Sequence, residues 1–211
     1  MTYDYVEKQV LKLLNQYTMA GNNVAETYNN QKDYLERIPG LVNDAMMEIS
    51  TTMRKIPVLV RLADLDSEDL GRQMRYTMPE DFYQLKSGDT VVTLDGATLH
   101  TQTYAVLGQY YMLVPKAEVG DYAITYYRYP TLLPADRADV DPATELDNVP
   151  ETHLAIPYYV AGMLAMHDDP FLCATLMNGY EDKLAKMPPD ISADVAATQD
   201  AYGFYTYHTY Y

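Results

Sequence analysis

Four histidines, one cysteine and thirty carboxylates are the residues of this chain that could do chemistry. A histidine offers a base or a metal ligand near neutral pH, but either role needs several side chains to converge. His153 and His167 on one continuous helix would stand about 21 Å apart, too far to share a metal. His167, Asp168 and Asp169 are consecutive, and adjacent helix positions point in different directions. They read better as a polar cluster at a helix terminus, the acidic pair capping a helix that begins at Pro170. Cys173, between Leu172 and Ala174, reads as a buried structural thiol with no second cysteine to pair with. Ser87-Gly88 does not form a nucleophile elbow, and no phosphate-cradling glycine loop or dinucleotide fingerprint is present. Carboxylates are abundant, but an acidic surface supplies abundance by itself. A sugar-cleaving enzyme usually adds stacking tryptophans, and the chain has none. The expectation is a protein with no catalytic residue, no cofactor and no metal.

The composition is that of a folding chain: 48% hydrophobic and 21% charged, far from the signature of disorder. A net charge of −15 repels a phosphate backbone, which argues against gripping DNA and fits a surface past which DNA moves without sticking. With 22 tyrosines against 3 phenylalanines, most large rings carry a hydroxyl that needs a partner. Such rings suit protein interfaces, and they suit strand faces equally. The start Met1-Thr-Tyr-Asp lacks a signal peptide's basic and apolar regions, and no apolar run spans a bilayer. A cytoplasmic protein, or one assembled into a particle there, is expected.

These residues must be held by elements whose periods are visible. Val6, Val10, Leu13, Leu14 and Tyr17 recur at helical spacing from Tyr3 to about Thr18, with Asp4 or Thr2 to cap and Gly21 to follow. Tyr34 to Met53 carries a longer stripe interrupted by Pro39, so a short helix should end near Arg37 and the main one begin at Pro39, closed by Pro57. Between Pro57 and Pro130 short β-type runs follow: 58–60, 75–77, 91–94, 101–106, 110–114 and 122–127, with a hairpin turn at Asp95-Gly96. Residues 132–150 read as an acidic connecting loop. A helix with Leu154, Tyr158, Ala161 and 163–165 as its packing face then becomes regular at Pro157, and another runs from Pro170 with Leu172, Leu176, Tyr180 and Leu184. Pro188-Pro189 stops it. The expected fold is α+β: a helical core of about four to five helices from residues 1–56 and 131–187, an inserted antiparallel β-domain at 57–130, and an extended tyrosine-rich tail at 188–211.

Six stretches together resemble the head-to-tail adaptor (connector) proteins of tailed bacteriophages. Tyr34-Leu-Glu-Arg-Ile-Pro-Gly-Leu-Val-Asn-Asp-Ala-Met-Met-Glu-Ile-Ser is similar to their helix. Arg75-Tyr-Thr-Met-Pro-Glu-Asp-Phe and Tyr122-Ala-Ile-Thr-Tyr-Tyr-Arg-Tyr-Pro are similar to the strands leading into and out of their sheet. Val149-Pro-Glu-Thr-His-Leu-Ala-Ile-Pro-Tyr-Tyr-Val-Ala-Gly-Met-Leu-Ala, continued by Asp169-Pro-Phe-Leu-Cys-Ala-Thr and Gly179-Tyr-Glu-Asp-Lys-Leu, looks like their paired C-terminal helices.

The resemblance implies a structural virion protein at the neck, in a homo-oligomeric ring of about twelve copies between portal and tail or nozzle proteins. DNA would pass through without being specifically bound, and no membrane is involved. By analogy, portal docking falls to Tyr202, Phe204, Tyr205, Tyr207, Tyr210 and Tyr211, and subunit contacts to Met46, Met47 and Met53. Asp136, Asp139, Asp141 and Glu145 would face the channel or its rim, where like charge keeps DNA mobile. The competing readings are another neck or tail-completion protein, and a carbohydrate- or protein-binding module using a tyrosine-rich sheet.

Overall fold

The computed structural model describes residues 1–14, 29–85, 92–93, 105–107, 110–115, 122–187, 196–199 and 205–208. The fold is α+β, with four α-helices and antiparallel sheets among these residues. Two compact units divide the chain: Met1–Ile56 with Pro130–Pro188, and Pro57–Tyr129 with Pro189–Tyr211.

The first unit is helical. Helix α1 (Tyr3–Leu13) buries Tyr3, Val6, Val10 and Leu11 along one face. The remainder of the stripe expected to Thr18, and Gly21, lie outside the described residues. Neither Thr2 nor Asp4 caps α1 through its side chain; Asp4 instead accepts from Lys8 Nζ at 2.7 Å. The orphan donors of the first turn are met by a distant loop, Tyr3 N–H reaching Thr144 O at 2.9 Å and Asp4 N–H reaching Pro142 O at 3.1 Å.

Helix α2 (Asn29–Glu48) runs unbroken through Pro39, contrary to the two helices expected. A proline inside a helix costs about 3 kcal/mol. The stripe Leu35, Ile38, Val42, Ala45 and Met46, all buried, spans both sides of it. Each large side chain so buried contributes roughly 1.5–3 kcal/mol, so continuity across the proline wins. After Glu48 the helix widens into a π-turn at Ile49–Met53. The Thr51 and Thr52 hydroxyls donate to Met47 O at 2.8 Å and Glu48 O at 2.6 Å, competing with the regular backbone ladder.

Helices α3 (Ile156–Ala165) and α4 (Pro170–Ala185) form an antiparallel hairpin. Leu154 does not join the packing face as expected. It precedes α3 in a turn and is 58% exposed, while Ile156, Val160, Ala161 and Leu164 fill the core. Two glycines let the helices approach: a Cβ on Gly162 would lie 2.9 Å from Met177 Sδ, and one on Gly179 would lie 2.8 Å from Tyr158 Cδ1.

The acidic segment before α3 is fastened rather than loose. The Asn43 amide donates to Leu133 O at 2.9 Å and accepts from Leu133 N–H at 2.8 Å. Asp147 accepts from Thr131 N–H at 2.7 Å, and Thr2 bridges Glu145 in antiparallel fashion.

The second unit is built from strands β1 (Ile56–Arg61), β2 (Ser67–Asp69), β3 (Gln73–Thr77), β4 (Phe82–Leu85), β5 (Val92–Thr93), β6 (Ala105–Leu107), β7 (Tyr111–Pro115) and β8 (Tyr122–Arg128). One compact sheet was expected; the strands make two. The first has the order β1-β8-β4 with β5 also on β8, and the second the order β2-β3-β7-β6. Leu62, Met78, Phe82, Met112, Val114, Ile124 and Tyr126 form one buried cluster drawing on both. Gly71, with φ 85°, takes the left-handed position in the β2–β3 turn, its N–H bonded to Asp69 Oδ1 at 2.8 Å. The Asp95-Gly96 turn lies outside the described residues. Strands β9 (Ala196–Gln199) and β10 (Tyr205–His208) pair antiparallel with each other.

Candidate functional site

The α3–α4 hairpin of the helical unit presents two contrasting ends. Asp169 caps α4, accepting from Leu172 N–H at 2.9 Å, with Pro170 in the first turn, as the spacing implied. Asp168, the other half of the acidic pair, accepts from the Tyr34 hydroxyl instead. That bond, more than burial, pushes the Tyr34 pKa up to about 12. At this end two large apolar side chains stand in water, Met166 at 49% and Phe171 at 84% exposure.

At the other end lies a shallow groove of about 170 Å³, with Tyr5 and Leu13 of α1, Leu154, Pro157, Tyr158 and Lys183 among its lining. Tyr158 packs over Gly179, and the Lys183 ammonium sits 5.6 Å from the Tyr158 ring centre. The groove is mostly apolar with one cationic edge. It suits a hydrophobic side chain from another polypeptide better than a reacting substrate.

His153 is a buried histidine whose partners give it a structural job. It is 7% exposed, with the Met1 ammonium 3.1 Å from Nδ1 and Asn148 O 3.1 Å from Nε2. The consistent tautomer donates from Nε2 to that carbonyl and accepts at Nδ1 from the ammonium. Burial first, and the ammonium second, hold its pKa below the ordinary histidine value. Both ring nitrogens are therefore engaged, Nδ1 in fastening the start of the chain and Nε2 in fixing the ring to the Asn148 carbonyl.

Nearby, Arg137 grips Glu7 through two hydrogen bonds of 2.9 Å, and Tyr3 donates to the same carboxylate at 3.1 Å. Burial and the Glu7 charge raise the Tyr3 pKa. Tyr180 buries its hydroxyl near the Glu48 carboxylate, and burial first, with that charge second, raises its pKa. Sequence reading missed the Glu7–Arg137 pair because the partners lie 130 residues apart in the chain.

The residues singled out from sequence fall in several places. Met46 is 0% exposed and packs in the core of its own chain, so its assignment to a subunit interface is corrected. Its position on the α2 stripe commits it inward. Met47 is half-buried, and Met53 is 51% exposed. Asp136, Asp139, Asp141 and Glu145 are all exposed; Asp136 and Asp141 also accept from the Ala138 and Ala143 N–H groups at 2.9 Å. Of the tail positions Tyr202, Phe204, Tyr210 and Tyr211 lie outside the described residues, while Tyr205 and Tyr207 have only their β10 backbone described. Cys173 is half-buried against the helical core rather than fully enclosed. Among the described residues no group of three histidine, cysteine or acidic side chains is placed to hold a metal, and no helix is long and apolar enough to cross a membrane. No protein-family model matches the chain, and no curated protein matches it.

Proposed function

We propose that this chain is a structural virion protein, a head-to-tail adaptor that joins a ring between the portal and the tail and surrounds the DNA channel. The observation that carries the reading is the exposed apolar surface of the helical unit. Tyr5, Leu154, Met166 and Phe171 are each at least 46% exposed, on a scaffold whose core is already complete. Such surface is stable in water only at a cost, and a covering polypeptide removes it.

The order of the elements also supports the reading: helices, then the sheets, then helices again, as in the family that the sequence resembles. Asp136, Asp139, Asp141 and Glu145 are exposed, and on a channel-facing surface their like charge would let DNA slide without adhering. The tyrosine-rich end supplies amphipathic rings for a partner's grooves.

The test is the native mass of the full chain, alone and mixed with portal protein. An adaptor forms a ring or joins one, and deleting residues 201–211 leaves the helical unit folded while abolishing portal attachment. A single-copy mass with no complex overturns the reading.

A further inference from the structure

The two ends of the α3–α4 hairpin are complementary. Phe171, in the first turn of α4, is the most exposed large apolar side chain among the described residues, and Met166 is exposed just before the same turn. The groove bounded by Leu154, Tyr158 and Lys183 lies at the opposite end. The twelve residues from Phe171 to Lys183 put it about 18 Å further along the helix axis. Its volume of about 170 Å³ matches one phenyl ring, since a cavity of roughly 150 Å³ accommodates benzene.

The geometry points to a second copy of this chain as the occupant, with Phe171 of one copy seated in the groove of the next. This deepens the assembly reading above and rests on it. Charge favours the pairing. Asp168 and Asp169, both exposed, stand immediately before the Phe171 turn, and Lys183 stands at the groove edge. The seated ring brings the acidic pair toward that ammonium.

Because knob and groove are different surfaces at different ends, the contact is head-to-tail. Every copy then offers one of each, and repetition closes a ring or runs on as a filament. A buried aromatic contributes about 150–250 Å², and even with Met166 the contact stays well below the roughly 1,200 Å² of a stable complex. One contact alone is therefore weak, and copies associate only when concentrated or held together by a partner.

Sedimentation of the full-length protein from about 10 μM to about 1 mM tests this, because contacts of this size hold in that range. Wild type should gain mass with concentration and pass beyond the dimer. Phe171→Ser and Leu154→Arg alter exposed positions, so circular dichroism should show unchanged folding, and each should weaken self-association at least about tenfold. An equimolar mixture of the two variants has one intact knob and one intact groove, so it should form dimers and nothing larger. The proposal is overturned by a wild type that stays monomeric throughout, by variants that associate like wild type, or by a mixture that fails to dimerise. Variants that still form rings with portal as wild type does remove this contact while leaving the adaptor reading in place. A protein that neither self-associates nor joins portal removes both.

Discussion

Replacing Gly179 by alanine adds one methyl group to α4, and replacing Gly40 adds the same group to α2, yet the structure assigns them opposite effects. In a helix interior alanine is favoured over glycine by about 0.5–1 kcal/mol, because glycine loses more backbone freedom on folding. At Gly40, which is exposed, the new Cβ meets nothing within 4 Å, so the full gain should appear. At Gly179 the Cβ would stand 2.8 Å from Tyr158 Cδ1 and 3.1 Å from Cε1. A ring is stiff and cannot simply bend aside, so either the helices part or the ring swings into the groove that it lines. Overpacking of this kind costs about 1–3 kcal/mol, which at least cancels the propensity gain and leaves a net loss of up to about 2.5 kcal/mol. Thermal unfolding followed by helical circular dichroism should show Gly40→Ala melting about 1–4 °C higher and Gly179→Ala unchanged to about 10 °C lower. Equal stabilisation by both substitutions would refute the close approach of α3 and α4 on which the groove geometry depends.

Three further outcomes follow from named contacts. The pKa of His153 is lowered in the fold, so the unfolded chain takes up the proton first as pH falls. The stability it supports is whole above about pH 6.5 and declines below it by at most ~1.4 kcal/mol per pH unit. The urea midpoint of His153→Gln should lack that component between about pH 7.5 and pH 5.5. Burial first, and then donation to Asp81 at 2.9 Å, push Tyr126 up to about 12. Its contribution is present below about pH 10 and lost as pH rises through the folded value, and Tyr126→Phe should remove one late-titrating ring from the tyrosinate absorbance curve. Changing Asp136, Asp139 and Asp141 to Asn and Glu145 to Gln keeps side-chain acceptors for Ala138 and Ala143 while removing four negative charges. Duplex DNA, measured by fluorescence anisotropy at low salt, should bind the variant more tightly than wild type; equal binding counts against a channel-facing role.

Legibility in the sequence tracked the range of the interaction. The Val6 and Val10 stripe, the Pro170 start with Asp169 before it, and the runs that became β1, β3, β7 and β8 are local patterns, and each is found where its period placed it. Strand β2, Ser67-Glu-Asp, has no apolar alternation to announce it and is set by its pairing with Gln73–Thr77. Continuity of α2 through Pro39 depends on burial against other helices, which no local rule for proline contains. Leu154 looked like a core residue by spacing, but the chain turns there before α3 begins. At the candidate surfaces the cap and the helix were readable. The groove was not, because it needs α1, the turn at Leu154 and α4 together. The Glu7–Arg137 clasp, 130 residues apart in sequence, could not be read from spacing.

The claim at the centre of this account is that the helical unit's exposed apolar surface exists to be covered in a particle neck. Electron microscopy of a tailed particle assembled with this protein tests it most directly. The account predicts a ring of this fold directly beneath the portal, with Phe171 of each copy against its neighbour; a neck whose portal-adjacent ring is made of another protein would contradict it.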